Sequence, residues 1–226
     1  MRVLAIDTAL GACAAAVLDS QAGAILASES LAMARGHAEA VMPLIARVMD
    51  GARCEFAELD RIAVTVGPGS FTGLRVGISA ARGIALAAGK PAIGLSTLST
   101  FAAPHVAARS DHTIIAAIDA RNEQVYFQVF APNGTTIVAP RLDRVRAAVR
   151  AVPVGPTVIT GSGAALVAAH WPSGSPTPRV EANAAPDIGW VARLGAAAQD
   201  EGTAPKPLYL RRPDARPQDG GRLPRR

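Results

Sequence analysis

A glycine-rich segment at residues 67–73 has the residue types of an anion-binding loop. It reads Gly-Pro-Gly-Ser-Phe-Thr-Gly and follows a β-branched run at 61–66. The alanine-rich stretch after it, at 74–88, has the length and composition of a helix. Backbone amides in such a loop, together with a helix N-terminus, favour a bound phosphate.

Two interpretations of this loop stay open. It lacks the Lys-Ser/Thr ending of a Walker A loop, and its third glycine comes one position late for the dinucleotide fingerprint. The first interpretation is an anion site that includes Gly67, Gly69, Ser70 and Thr72. The second is a tight turn in which Ser70 or Thr72 caps the helix.

Two aspartates end predicted strands. Asp7, followed by Thr8, ends the strand at 2–7, and Asp119 ends the strand at 113–119. Acidic and hydroxyl groups at such positions hold a magnesium-bound phosphate in nucleotide clefts. No glycine follows Asp119 to let a phosphate approach the backbone, which argues against a working ATPase. The alternative is that both aspartates only cap loops.

Other chemistry has little support in the sequence. The four histidines form no HxxxH or HExxH pair, and Ser162 lacks the flanking pattern of a nucleophile elbow. We therefore predict no catalytic residue, no metal site and no cofactor. Cys13 and Cys54 cannot form a disulfide framework, which favours a reducing compartment and a cytoplasmic protein.

The elements around these residues predict an α/β fold. Strands are expected at 2–7, 12–18 and 24–31 as an antiparallel meander, followed by an amphipathic helix at 37–49 and then a strand, helix and strand at 61–66, 74–88 and 92–95. In the second half we expect strands at 113–119, 124–130 and 157–160, helices at 162–170 and 187–199, and a loop at 171–178. Ala-Ile-Asp ends the first strand of both halves, which predicts two lobes built on one plan, at 1–108 and 109–212.

Small residues recur every fourth position in the helix at 74–88 and just before it, at Gly73, Gly77, Ala81 and Ala85. Such a stripe lets another helix approach closely. Packing within the chain and a subunit interface are both open as explanations.

Composition sets broad limits. The chain has 226 residues, half of them hydrophobic, and a net charge of +5 that permits contact with nucleic acid without demonstrating it. No stretch is apolar for long enough to predict a membrane helix. Residues 213–226, rich in arginine, proline and glycine, predict a disordered basic tail.

Several of these segments resemble one family. They are Ile6-Asp7-Thr8, Gly36-His37-Ala38-Glu39, Gly67-Pro68-Gly69-Ser70-Phe71-Thr72-Gly73-Leu74-Arg75, and Asp119-Ala120-Arg121 ahead of Val125-Tyr126. Together they look like TsaB, also called YeaZ, a subunit of the bacterial machinery that makes threonylcarbamoyladenosine in tRNA. The resemblance covers about residues 1–130, and Tyr209-Leu210-Arg211 is similar to the family's terminal strand.

The resemblance implies a two-lobed fold of the actin, hexokinase and heat-shock-protein-70 ATPase class, with duplicated ribonuclease-H-like lobes. It also implies a partner, the metal-binding transferase TsaD, within a wider complex that includes an ATPase subunit and tRNA. Where TsaD would carry its two metal-binding histidines, this chain has Thr97 and Phe101. Neither residue supplies an imidazole ligand.

We therefore expect a non-catalytic subunit that supports TsaD in transferring a threonylcarbamoyl group to the tRNA adenosine beside the anticodon. The expected partner-binding residues lie on the two long helices: His37, Val41, Leu44, Ile45, Val48, Gly73, Leu74, Gly77, Ile78, Ala81 and Ala85. The same surface predicts self-association of the isolated chain. The alternatives are an independent enzyme of this fold, either a small-molecule kinase or a glycoprotease-like peptidase, and a free-standing RNA-binding protein.

Overall fold

The computed structural model describes residues 1–211. Its first half forms a five-stranded mixed sheet from β1 (Arg2–Asp7), β2 (Ala12–Asp19), β3 (Ala24–Ala32), β4 (Arg61–Gly67) and β5 (Ala92–Ser96). The strand order is β3-β2-β1-β4-β5. The first three strands are antiparallel, and β4 and β5 run parallel to β1. The predicted meander and crossover units are confirmed.

The second half repeats this sheet with β6 (Thr113–Asp119), β7 (Gln124–Phe130), β8 (Thr136–Arg144), β9 (Thr157–Thr160) and β10 (Arg179–Glu181). Its order is β8-β7-β6-β9-β10, the same arrangement as in the first sheet, and β9 is again parallel to the central strand. The matching strand ends that suggested a duplication therefore reflect two sheets of one topology.

Helices cover both faces of each sheet. On the first sheet, α1 (His37–Gly51) and α2 (Phe71–Ala88) pack against one face, and α6 (Ile188–Ala197) packs against the other. On the second sheet, α4 (Val145–Arg150) and α5 (Ala164–Ala169) cover one face, and α3 (Thr97–Ala107) covers the other. The alternating apolar side chains of the strands are buried on both sides, as expected for sheets with helices on each face.

Two helices cross between the halves. Helix α3 follows the first sheet in sequence but packs on the second, and α6 follows the second sheet but packs on the first. The two helices also contact each other. The division into lobes at 1–108 and 109–212 stays a prediction, although α6 lies on the first sheet and not with the predicted C-terminal lobe.

Several elements differ from the sequence-based prediction. The structure adds α3, α4, β8, β10 and a short 3-10 helix at Phe56–Glu58, none of which was predicted. Residues 209–211 form no strand; instead, the neighbouring Leu208 N–H donates to the Val66 carbonyl at 2.7 Å. The predicted tail at 213–226 lies outside the described residues.

Candidate functional site

The glycine-rich loop between β4 and α2 is filled by the protein itself. The Ser70 N–H donates to the Ala9 carbonyl at 2.7 Å, and the Thr8 hydroxyl donates to the Gly73 carbonyl at 2.7 Å. A Cβ added to Gly69 would collide with the Ala9 carbonyl oxygen, and a Cβ added to Gly73 would collide with that of Thr8. The glycines are therefore needed for the turn between β1 and β2 to approach the helix.

This packing opposes the predicted anion site. Gly67 lies against the Leu208 backbone, whose carbonyl oxygen would be 2.8 Å from an added Cβ. Ser70 caps α2, because its hydroxyl accepts a hydrogen bond from the Gly73 N–H at 3.3 Å. Thr72 is exposed in the first turn of the helix. Of the two interpretations, the structure favours the capped turn, because the chain's own carbonyls occupy the space beside Gly67, Gly69 and Ser70.

Asp7 is buried and does not face a solvent-filled cleft. Its Oδ1 accepts hydrogen bonds from the Thr65 hydroxyl and from the Ala9 N–H, whereas Oδ2 has no hydrogen-bond partner among the described residues. Burial raises the pKa of Asp7 above its usual value, and the hydrogen bonds from Thr65 and Ala9 and the nearby His37 oppose this increase. The buried position favours the neutral acid, which is a poor ligand for a magnesium-bound phosphate.

Asp119 belongs to a separate turn at the end of the second sheet. Its Oδ1 accepts from the Arg121 N–H at 2.8 Å, and its own N–H donates to the Ser162 hydroxyl at 3.3 Å. Asp7 and Asp119 thus occupy equivalent strand ends, but each is engaged in its own turn. This geometry supports the loop-capping alternative for both aspartates.

The predicted partner-binding residues lie mostly in the core. Val41, Leu44, Ile45, Val48, Leu74 and Ala81 are at most 3% exposed and form part of the cluster between α1, α2 and the first sheet. The remaining members are also buried: His37, Gly73, Gly77, Ile78 and Ala85. These side chains face the chain's own sheet, as the apolar stripe of an amphipathic helix does, and their contact with a partner stays a prediction.

The stripe of small residues in α2 also faces the inside of the chain. A Cβ on Gly77 would collide with the Thr8 hydroxyl, so the glycines of the stripe admit the β1–β2 turn. His37 is likewise tied to this turn, because its Nε2 donates to the Leu10 carbonyl at 3.2 Å. Close packing within the chain explains the small residues.

The outer surface of α1 and α2 is apolar, and its residues were not singled out from the sequence. Met42 is 48% exposed, Phe56 38% and Leu86 86%. A groove of about 590 Å³ runs between α1, the 3-10 helix and α2, and is lined in part by Met42, Phe56, Ala80 and Gly83. A second groove of about 490 Å³ continues from Met42 and Ala80 toward Phe71. We call this surface the outer helical face. A second row of small residues in α2, at Ser79, Ala80, Gly83 and Ala87, lies outside the predicted stripe and was the signal for this surface.

Three exposed side chains order one end of the outer helical face. The Arg75 guanidinium lies 3.8 Å from the centre of the Phe71 ring, and its Nε donates to the Tyr209 hydroxyl at 3.2 Å. The Phe71 and Tyr209 rings stack with centroids 5.1 Å apart. The C-terminal segment is thereby attached to the first turn of α2, a contact between distant residues that no local pattern predicts.

Residues 97 and 101 lie in the first two turns of α3. Thr97 and Phe101 are buried, and Phe101 packs in the core of the second sheet. Within residues 1–211, no group of three or more His, Cys, Asp or Glu side chains is arranged to hold a metal ion. None of the described helices is long and apolar enough to cross a membrane.

Comparisons with known proteins agree with the fold. Residues 25–168 match the model of the family described as TsaD: tRNA N6-adenosine threonylcarbamoyltransferase. YeaZ from Pseudomonas aeruginosa superposes with a TM-score of 0.78 at 26% identity, covering 92% of this chain and 99% of that protein. The fold and the family model together define a protein of the TsaD-related class, built from two mixed sheets of one topology with helices on their faces.

Sequence relatives narrow this class. The TsaB protein of Escherichia coli, described as a tRNA threonylcarbamoyladenosine biosynthesis protein, is 39% identical over 127 residues, or 56% of this chain and 54% of the relative. An uncharacterized protein of Mycobacterium tuberculosis, Rv3421c, is 33% identical over 218 residues, or 95% of this chain and 94% of the relative. The chain belongs to the TsaB (YeaZ) family. The matched segment spans about half the length of the E. coli relative.

Proposed function

We propose that this chain is a non-catalytic subunit that pairs with a TsaD-like partner in tRNA threonylcarbamoyladenosine biosynthesis in the cytoplasm. In this role it supports the partner's transfer of a threonylcarbamoyl group to the tRNA adenosine beside the anticodon, within a complex that also contains an ATPase subunit. The observation that carries the proposal is the outer helical face, because large exposed apolar patches on a folded chain mark interaction sites.

The shape of this face suits a helical partner. A Cβ added to Gly83 would meet no atom within 4 Å, and Ser79, Ala80 and Ala87 also line the groove. Small side chains let the backbone of a second helix approach closely, and Met42, Phe56 and Leu86 supply apolar area beside them. A homologous fold carries helices at the same place, so the TsaD-like relative named by the family model is the partner we propose.

Two further observations support a role without catalysis. The loop that resembles an anion site is filled by the turn of the β1–β2 hairpin, and Asp7 is buried beneath it. At the positions where the resemblance places metal-binding histidines in TsaD, this chain packs Thr97 and Phe101 into its interior. The proposed chemistry therefore belongs to the partner.

The test is the mass of the mixed complex in solution, measured by light scattering with the chain and a TsaD-like protein. Gly83→Leu adds a side chain to the groove, and its Cβ meets no atom of the chain within 4 Å. It should weaken pairing by at least about tenfold, the scale of a steric clash in a packed interface. Gly174→Leu is the matched control, because Gly174 also has open space around it but lies in a distant loop. Equal pairing by both variants would contradict the proposed surface.

A further inference from the structure

The net positive charge of this protein belongs entirely to its second half. Residues 1–108 contain eight basic and eight acidic side chains, whereas residues 109–226 contain fifteen basic and ten acidic ones. All but two of the basic residues in the chain are arginines. Arginine is suited to phosphate because its planar guanidinium donates two parallel hydrogen bonds to one phosphate group.

Part of this charge is gathered at one end of the second sheet. Arg144 lies opposite Gln124 in the β7–β8 register, and Arg211 donates to the Gln124 side chain and, at 3.2 Å, to the Ala120 carbonyl. Arg121 lies in the turn between β6 and β7. The Val145 N–H donates to Glu123 in the same turn at 2.9 Å, which fixes the start of α4 and hence Arg146 beside it. We call Arg121, Arg144, Arg146 and Arg211 the arginine cluster.

The guanidinium groups of the arginine cluster form no ion pair in the described part of the chain. Among residues 1–211, no carboxylate lies within 4.0 Å of any of its four guanidinium groups. Two acids contact the backbone of the cluster: Asp119 accepts from the Arg121 N–H and Asp143 from the Arg144 N–H, each at 2.8 Å, and the Asp143 carboxylate faces Arg141 at 3.9 Å. Glu123 is exposed in the turn. Arg121, Arg144 and Arg146 are exposed to solvent.

The sequence extends this charge. Arg211 is followed by residues 212–226, which contain five more arginines and two aspartates. The outer helical face is built on the first sheet, whereas Arg121, Arg144 and Arg146 lie on the second sheet and Arg211 follows Tyr209 at one end of that face. Pairing through the face therefore leaves the exposed arginines of the second sheet available to a ligand beside the partner.

We propose that the arginine cluster contacts the phosphate backbone of the tRNA substrate while the outer helical face holds the partner. The choice of RNA as the polyanion rests on the proposed function. In this arrangement the chain contributes to substrate binding as well as to assembly, through contacts that do not depend on base sequence.

The test is tRNA binding by the complex of this chain with a TsaD-like protein, followed by fluorescence anisotropy of a labelled tRNA transcript over a series of salt concentrations. The test variant is Arg144→Glu with Arg146→Glu; acidic residues are tolerated at the start of a helix such as α4. The control is Arg53→Glu with Arg109→Glu, which changes the net charge equally at two exposed arginines that form no ion pair within the described part of the chain.

We expect the test variant to bind tRNA about tenfold more weakly at low salt, with the control close to the unchanged chain. The dependence of log K on log salt should become shallower by about 0.7 to 0.9 for each lost phosphate contact. Equal affinity of the test variant and the control overturns the proposal. So does binding to vesicles of phosphatidylserine and phosphatidylcholine that is lost in the test variant while tRNA binding is kept.

Pairing and RNA contact are separable in this design. The mass of each mixed complex reports on the outer helical face alone. If the unchanged chain fails to pair with a TsaD-like protein but binds tRNA by itself in a way that the test variant loses, the proposed function fails and the arginine cluster stands. If pairing is normal and the test variant binds tRNA as tightly as the unchanged chain, the arginine cluster fails and the proposed function stands.

Discussion

The contrasting surroundings of Gly73 and Gly83 in α2 predict opposite effects from the same substitution. Gly73→Ala would drive its Cβ into the Thr8 carbonyl oxygen, a backbone atom that directly follows the last paired residue of β1. Gly83→Ala would meet nothing within 4 Å. The gain in helix propensity is about 1 kcal/mol at Gly83, in the interior of α2, and no larger at Gly73, in its first turn.

The magnitudes follow from these contacts. Overpacking at Gly73 costs about 1–3 kcal/mol or more, and displacement of Thr8 also threatens its 2.7 Å hydrogen bond to the Gly73 carbonyl, worth about 1 kcal/mol. After the propensity gain is subtracted, Gly73→Ala should lower the free energy of unfolding by about 1–3 kcal/mol. Gly83→Ala should raise it by about 0.5–1 kcal/mol.

Urea unfolding of the two variants and the unchanged chain, at a concentration where each is a monomer, measures both values. Thermal unfolding offers a second reading, because 1 kcal/mol corresponds to a shift in Tm of about 2–4 °C for a chain of this size. Equal stability of Gly73→Ala and Gly83→Ala would refute the conclusion that the glycine-rich loop exists to admit the β1–β2 turn.

Further predictions concern two buried ionisable groups and the chain end. Burial raises the pKa of Asp7 above 3.8, so the stability that this group contributes is complete below that pH and declines as pH rises toward the folded-state pKa. Over that range the free energy of unfolding of Asp7→Asn should rise relative to that of the unchanged chain. A difference between the two that does not change with pH would contradict this prediction. Burial lowers the pKa of His105 below 6.5, so the stability that the neutral imidazole contributes is lost as pH falls through that value toward the folded-state pKa. In the same assay His105→Gln should lose less stability than the unchanged chain over this pH range. Deleting residues 213–226 should leave pairing with a TsaD-like protein intact and weaken tRNA binding at low salt, with the difference shrinking as salt rises. Unchanged affinity for tRNA at low salt would leave this segment without a role in RNA binding.

The elements that the sequence predicted are those with a clear period or a clear boundary. The strands Arg2–Asp7 and Ala12–Asp19 and the helix His37–Gly51 have continuous apolar runs or one apolar stripe. Helix α3 was missed because it is buried on most sides between the sheets and contains Pro104, so it has little amphipathic signal. Strand β10 is only three residues long, which is too short for a pattern.

The candidate site shows a different limit of sequence reasoning. The stripe of Gly73 and Gly77 correctly indicates a close approach, but the spacing of small residues does not say whether the neighbour is another subunit or the chain's own hairpin. That distinction depends on the position of Thr8, which precedes Gly73 by 65 residues. The contact of Tyr209 with Arg75 joins residues 134 positions apart, so no local stretch of sequence indicates it either.

The most direct test of the proposed role is reconstituted formation of threonylcarbamoyladenosine in a tRNA transcript. The assay would combine the activated threonylcarbamoyl donor with a TsaD-like protein and the ATPase subunit, with and without this chain. We predict no product from this chain alone, product when the chain and the partner are combined, and a loss with Gly83→Leu that higher concentrations of the variant restore, while Gly174→Leu matches the unchanged chain. Turnover by this chain alone, or full activity of a Gly83→Leu variant that no longer pairs, would contradict the account.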